Sequence, residues 1–242
     1  LLDYDGTLAP FRVERDKAIP YPGVRETIDA ILADGQTRLV IISGRWTRDL
    51  IPLLGLTRLP EIWGCHGWER LFPDGSHNAG KISEAASRAL KEAQEWARKE
   101  GCADRCERKP VAVAIHWRGL EAARIAELQK KVSAAWEPLA RRGGLELHSF
   151  DGGLELRCPG RDKGFAVNQV FAELGEDAVV AYLGDDLTDE DAFGALKGKG
   201  LSVLVREEFR STEAEVWLKP PEELLEFLRN WRRVCGKKDK SE

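Results

Sequence analysis

Methionine is absent from the 242 residues, histidine occurs four times and cysteine five times. The cysteines, Cys65, Cys102, Cys106, Cys158 and Cys235, are odd in number and dispersed, which excludes a disulfide framework of the small secreted kind. Cys102 and Cys106 have the spacing of a metal pair, but neither a second pair nor suitably spaced histidines accompany them, so they read as ordinary thiols. No apolar run approaches membrane-spanning length and no signal-peptide pattern is present. Nor does one sign of charge dominate: 37 basic against 41 acidic side chains leave a net charge of -4, which argues against a general nucleic-acid or membrane-surface binder. Internal repeats and low-complexity tracts are missing, and the charged end GKKDKSE is expected to fray. The expected setting is cytoplasmic and reducing. The lack of methionine, with a first strand that starts at its last few residues, leads us to expect that residues precede Leu1.

What is present is a regular alternation of strand and helix signals. Leu39–Ile42, Ala178–Leu183 and Leu201–Val205 are short apolar runs of the kind buried on both faces of a sheet. Helical periodicity follows at 23–34, with Val24, Ile28, Ile31 and Leu32 in phase, and at 221–232, with Leu224, Leu225, Leu228 and Trp231. Strands alternating with helices predict an α/β fold with a doubly wound, Rossmann-like parallel sheet, whose ligands sit beyond the carboxyl ends of the strands. The polar residues ending the runs are Asp3-Tyr4-Asp5, Ser43-Gly44-Arg45 and Gly184-Asp185-Asp186, and the topology predicts that all three converge on one edge of the sheet.

The middle of the chain has a different rhythm. An amphipathic helix over 81–101 carries Ala86, Leu90, Ala93 and Trp96 on one side, and a second over 120–141 gathers Leu128, Val132, Ala135 and Leu139. CERKPVAVAIHWRG alternates like a strand with Val111, Val113, Ile115 and Trp117 on one face, and further strand-like stretches follow at 144–149 and 153–158. Alternating strands with one polar face predict a small sheet covered by two helices. The expected organisation is therefore a core domain of residues 1–80 and 160–242 interrupted by a smaller inserted α+β cap domain of residues 81–159, with hinges near Asn78–Lys81 and Pro159–Asp162.

The opening stretch LLDYDGTL raises the chemical question. Asp3 and Asp5 stand at period-two spacing, so in an extended segment their carboxylates leave from the same face and repel unless a divalent metal or a proton joins them. Taken singly, each neighbouring feature has a plain reading: Asp5-Gly6 is a common turn pair, Ser43-Gly44-Arg45 is loop punctuation, a lone Lys163 is more often solvated, and Thr188 followed by acids suits a helix N-terminus. Their order along the chain, each at the end or flank of an expected element, argues for a site.

DYDGTL, SGR, RDKG and GDDLTDED, in that order, resemble the four motifs of the haloacid dehalogenase superfamily of phosphotransferases. The resemblance implies that Asp3 is the nucleophile forming an aspartyl-phosphate and that Asp5 is the general acid and base. It further implies that Ser43 donates to the phosphoryl group, that Lys163 supplies a fixed positive charge, and that Asp189, with Asp186 as a neighbouring candidate, orients Lys163 or the metal shell. It implies Mg²⁺ held by Asp3, the backbone carbonyl of Asp5 and Asp185.

Within that superfamily the chain is similar to the trehalose-6-phosphate phosphatases: GCHGWE, ERKPVAVAIHWR, LELRCPGRDKG and GDDLTDEDAF match that family's stretches and together span nearly the whole chain. The likeness implies that Glu107, Lys109 and Glu155 contact sugar hydroxyls, and it makes Arg45, His66, Gly67 and Arg118 further candidates for phosphate or sugar contact. Trp117 stands where the family often shows tyrosine, and Cys65 occupies a variable place. The expected partner is a small sugar phosphate acted on by a monomer, with no nucleic acid and no membrane. Two rivals are a related phosphatase of sucrose phosphate or a mannosyl-phosphoglycerate, and a non-catalytic sugar-phosphate-sensing domain of a synthase fusion.

Overall fold

The computed structural model describes residues 1–12, 14–150, 152–175 and 177–236, so most of the charged tail lies outside the described residues. In chain order the elements begin with α1 (Val24–Asp34), β1 (Val40–Ile42), α2 (Thr47–Leu54), β2 (Glu61–Gly64), β3 (Glu69–Leu71) and β4 (His77–Ala79). They continue with α3 (Glu84–Lys99), β5 (Cys106–Arg108), β6 (Ala112–His116), α4 (Ala122–Gly143), β7 (Glu146–Phe150) and β8 (Gly153–Arg157). Last come α5 (Lys163–Ala172), β9 (Ala181–Gly184), α6 (Glu190–Leu196), β10 (Leu201–Val205), β11 (Val216–Leu218) and α7 (Glu222–Cys235). The chain divides into two compact units, one of residues 1–78 and 163–242 and the other of residues 79–162.

In the first unit β11, β10 and β9 pair in parallel, as do β1 and β2, while β3 runs antiparallel beside β2. The opening residues join the two sets: Leu2 bridges Ile41 on one side and Leu183 on the other, both in parallel. Its N–H donates to the Val40 carbonyl at 2.9 Å, and Asp3 N–H donates to the Leu183 carbonyl at 2.8 Å. Asp3 therefore leaves the sheet at the carboxyl end of its central position, where ligands bind in doubly wound folds.

Successive strand residues point to opposite faces, so an all-apolar strand needs a covering layer on each side. Ile41, Ile62, Leu183 and Val203 form one core with Val24, Ile28 and Ile31 of α1, Leu50 of α2 and Leu224 and Leu228 of α7. Val40, Ile42, Trp63 and Tyr182 form the opposite core with Ala166, Val167 and Val170 of α5 and Phe193 and Leu196 of α6. The fold of this unit is a Rossmann-like α/β core with helices on both faces of a mostly parallel sheet.

The second unit is an antiparallel sheet in the order β5-β6-β8-β7, with α3 and α4 packed on each other through an edge-on pair of Trp96 and Trp136. The stretch expected to form one strand is two: Pro110 has no N–H to give to a ladder, and β5 and β6 stop on either side of the Lys109–Val111 turn, closed by Lys109 N–H on the Ala112 carbonyl. Glu155 and Arg157 lie on the expected polar face, and that face is itself buried. Ala112 and Ala114 are as buried as Val113 and Ile115, and so are Glu155 and Arg157. Small side chains at the two alanines leave room beside them for long charged ones.

Candidate active site

Two strand ends, one 3₁₀ turn and one helix start gather the acids and the lysine of the first unit. Asp3 follows the central strand position, Asp185 and Asp186 follow β9, Asp189 ends the 3₁₀ turn Leu187–Asp189, and Lys163 opens α5. Lys163 Nζ donates to Asp3 Oδ1 and to Asp189 Oδ1, each at 2.7 Å. Tyr182 OH, pointing from β9 into the same place, donates to Asp189 Oδ1 at 2.5 Å. The other Asp189 oxygen accepts from the backbone N–H groups of Asp185 at 3.1 Å and Asp186 at 2.9 Å. Four donors thus hold Asp189, which in turn fixes both Lys163 and the loop carrying Asp185.

Asp3, Asp185 and Asp189 each present a carboxylate oxygen within 4.8 Å of the other two, and all three are buried. Thr7 Oγ1 lies between two of them, 3.3 Å from Asp3 Oδ2 and 3.4 Å from Asp185 Oδ1, and its single proton serves one at a time. Gly6 permits the approach: its φ of 88° belongs to the left-handed region, and a Cβ there would stand 2.1 Å from Asp185 Oδ2.

Charge is out of balance here. Three carboxylates share the ammonium of Lys163, so with all three ionised two negative charges are left uncompensated. Burial, partly offset by Lys163 and reinforced by Asp189, pushes the Asp3 carboxyl up to about 7. Asp185 is raised well above the usual carboxylate range by burial and by repulsion from Asp3 and Asp189. Burial works against the Lys163 charge, but Asp189 and Asp3 outweigh it and hold the ammonium protonated. Asp185 Oδ2 is buried with no hydrogen-bond partner among the described residues. An all-oxygen donor set with two surplus charges and an orphaned carboxylate oxygen fits a hard divalent cation.

The remaining expected residues of this unit lie in the adjoining loops. Asp5 is partly exposed and takes no part in the triad of side-chain carboxylates; both its oxygens accept from Arg45, Nε and Nη2, at 2.6 Å each. Ser43 is buried at the end of β1 and its Oγ accepts from Arg45 N–H at 3.1 Å. His66 lies in a left-handed turn, Cys65 φ 49° and His66 φ 55°, and Gly67 follows. That turn is tied to the Ser43 loop: His66 N–H donates to the Ser43 carbonyl at 3.0 Å and Cys65 N–H to the Arg45 carbonyl at 2.8 Å.

Sequence reasoning passed over four residues of this neighbourhood. Thr7 and Tyr182 touch the acids directly. Buried Glu69 accepts from Thr47 N–H at 2.6 Å and so anchors the first turn of α2, just beyond the Ser43-Gly44-Arg45 loop. Arg210 reaches the Asp185 loop from the segment after β10. The threonine of DGT and the glutamate of GCHGWE stood inside quoted stretches and could have been found. Tyr182 reads as a core residue of an apolar strand, and nothing in sequence links Arg210 to Asp185.

In the second unit, pairing sets Glu107 opposite Ala114 and Ala114 opposite Glu155, so the two glutamates share one face of the sheet across an alanine. Lys109 Nζ donates to Glu155 Oε1 at 2.7 Å and lies 3.7 Å from Glu107 Oε2. His116 Nε2 is 3.0 Å from the same Glu107 oxygen. Arg118 follows β6 with its guanidinium against the backbone of Gly152, where a Cβ would stand 2.6 Å from Cζ.

Comparison with known proteins adds a family. The family model described as trehalose-phosphatase matches residues 1–217. A trehalose-phosphate phosphatase of Mycobacterium marinum is 33% identical over 93% of this chain, and the chain spans 59% of that relative's length. Among solved structures, the C-terminal domain of a C. albicans trehalose-6-phosphate phosphatase shares the fold with a TM-score of 0.79 at 22% identity, covering 97% of this chain and 90% of that one. An Aspergillus fumigatus trehalose-6-phosphate phosphatase gives a TM-score of 0.65 at 28% identity, covering 96% and 92%.

Proposed function

The chain belongs to the trehalose-phosphatase family, and from that premise we propose that it hydrolyses trehalose 6-phosphate to trehalose and inorganic phosphate with the help of Mg²⁺. The observation that carries the reading is the buried triad of acids with two surplus negative charges around Asp3 and Lys163. Asp3, Asp185 and the backbone carbonyl of Asp5 would hold the cation, with Asp189 beside them. Bound there, Mg²⁺ supplies neutralisation of charge between a carboxylate and a phosphate that otherwise repel.

Each step then falls to a residue of this chain. Asp3 attacks phosphorus; its Oδ–P bond forms as the bond from phosphorus to the sugar oxygen breaks, and Asp5 gives its proton to that oxygen. Water then attacks the aspartyl-phosphate, Asp5 takes the proton, and the Asp3–P bond breaks. Lys163 offsets charge on the phosphoryl oxygens while Asp189 and Tyr182 keep its ammonium in place, and Ser43 donates a hydrogen bond. Arg45 sits on both oxygens of Asp5, and an arriving phosphate dianion competes for that guanidinium and frees the Asp5 carboxyl to reach the leaving oxygen.

The second unit contributes selectivity in this reading. Glu107, Lys109 and Glu155 offer charged acceptors and a donor from one region of one sheet, suited to several hydroxyls of a disaccharide, and sugars lacking those hydroxyls leave buried polar groups unpaired. A panel of sugar phosphates assayed with and without Mg²⁺ tests the proposal. Expected is Mg²⁺-dependent phosphate release that is fastest for trehalose 6-phosphate. Faster release from another sugar phosphate would overturn the substrate assignment, and no Mg²⁺-dependent release from any would overturn the activity.

A further inference from the structure

The geometry points to Arg210 as a positioning residue that holds the Asp185–Asp186 loop in its cation-binding shape by clamping the carbonyl side of its backbone. This rests on the proposed divalent-cation site. The loop follows β9 directly, and its N–H side is already taken: Asp189 Oδ2 accepts from Asp185 and Asp186. The carbonyl side faces Arg210. Its Nε donates to the Asp185 carbonyl at 3.2 Å and its Nη2 to the Asp186 carbonyl at 2.7 Å. One planar guanidinium thus spans two successive peptide units, something an ammonium on a flexible stem does not reproduce. The same two peptides are pinned from both edges, by a carboxylate on one and by guanidinium groups on the other, where Arg206 Nη1 also donates to the Asp185 carbonyl at 3.4 Å while Arg210 spans both carbonyls.

Arg210 is itself held. Its Nη1 donates to Glu190 Oε1 and, at 2.9 Å, to the Ser211 carbonyl. Glu190 also accepts from Thr212 Oγ1 at 2.8 Å and from Glu213 N–H at 2.8 Å, so the segment after β10 is fastened to the start of α6. The pair is mostly shielded, with side-chain exposures of 16% for Arg210 and 25% for Glu190. Such fastening has a purpose next to Asp185, whose carboxylate is crowded against that of Asp3, since a ligand oxygen must be held within about half an ångström to bind well.

The sign of the effect separates this role from a plain charge effect. By charge alone, removing a cation beside an acidic cluster strengthens binding of another cation. Loss of a clamp weakens it. The test measures Mg²⁺ binding to the whole chain by calorimetry at constant pH and ionic strength, for the unaltered protein and for Arg210→Ala and Arg210→Lys, with amide hydrogen exchange followed at residues 185 and 186. Expected for Arg210→Ala is a loss of about tenfold or more in Mg²⁺ affinity, the scale of outer-shell changes at metal sites. Faster exchange at the two amides is expected with it, and an unchanged KM for trehalose 6-phosphate at saturating Mg²⁺. Arg210→Lys, which keeps the charge without the fork, is expected to lose at least threefold and carries the test if the alanine variant does not fold. Affinity equal to or tighter than that of the unaltered protein overturns the clamp, as does a raised KM with unchanged affinity. If the unaltered protein binds no Mg²⁺ at all, it is the proposed cation site that fails, a result distinct from a silent Arg210.

Discussion

Two clusters of buried charge, one in each unit, are built on opposite terms. In the first unit Asp3, Asp185 and Asp189 outnumber Lys163, and one Asp185 oxygen has no hydrogen-bond partner among the described residues. In the second, Lys109 is set between Glu155 and Glu107, and His116 lies against Glu107, so the acids have basic neighbours at hand. An unbalanced cluster is strained until a counter-charge arrives, whereas a mutually paired one can exchange its internal bonds for those of a neutral, hydroxyl-rich ligand. The contrast is the one the proposed function calls for, with metal and phosphate at the first cluster and sugar at the second.

The comparison can be broken most decisively at Asp3. Asp3→Asn keeps the volume and removes the nucleophile, so phosphate release should fall by about 10⁴-fold or more while circular dichroism stays unchanged; a variant that still turns over at a comparable rate would show that the first cluster is not the reacting one. Next comes Glu155→Ala, expected to cut kcat/KM for trehalose 6-phosphate by about 100-fold while costing a small aryl phosphate less than about threefold. Equal losses on both substrates would remove Glu155 from sugar recognition.

A smaller effect sharpens the charge argument. Burial pushes the Asp3 carboxyl up to about 7, against 3.8 for the ordinary carboxyl, so without a cation the folded state holds a proton that the unfolded state gives up. That contribution is fully present below about 4 and is lost as pH rises through about 7, which makes the metal-free protein less stable at pH 8 than at pH 6 from this group. Mg²⁺ replaces the proton, so the rise in Tm on adding Mg²⁺ should be larger at pH 8 than at pH 6; an equal rise at both would contradict the surplus of negative charge.

The smallest effect is the mirror image. Glu173 has Arg70 and Arg38 on its carboxylate, and their hydrogen bonds and charge hold its carboxyl down to about 2. Its contribution to stability is present above about 4.5 and is lost as pH falls towards about 2. Urea midpoints measured between pH 5 and pH 2.5 should therefore drop less in Glu173→Gln than in the unaltered protein, by a modest amount because the side chain is 41% exposed. Parallel curves would mean that this pairing adds nothing.

Much of the architecture was legible because period and punctuation agree with it. Apolar runs at 39–42, 178–183 and 201–205 overlap β1, β9 and β10, and the helical phases at 23–34 and 221–232 overlap α1 and α7. Asp3, Lys163, Asp185 and Asp189 meet because each stands at an element's end, where a motif can be seen in one dimension. What escaped was set by partners distant in sequence. Arg210 contacts carbonyls, which any residue would offer, and Tyr182 alternates correctly as a core side chain while its hydroxyl serves Asp189. In the second unit the alternation of VAVAI separates an apolar face from the alanines, but alanine is neutral in such a pattern, and it is the pairing register that reveals what Ala114 sits between.

That register leaves Ala114 as the floor tile between two acidic walls. In the proposed sugar site a bulkier residue at this one place would stand between Glu107 and Glu155 and change which hydroxyls they reach, with the acids around Asp3 left in their own contacts. A lineage could thus retool what the protein accepts through a single codon, leaving the costly machinery of bond breaking untouched.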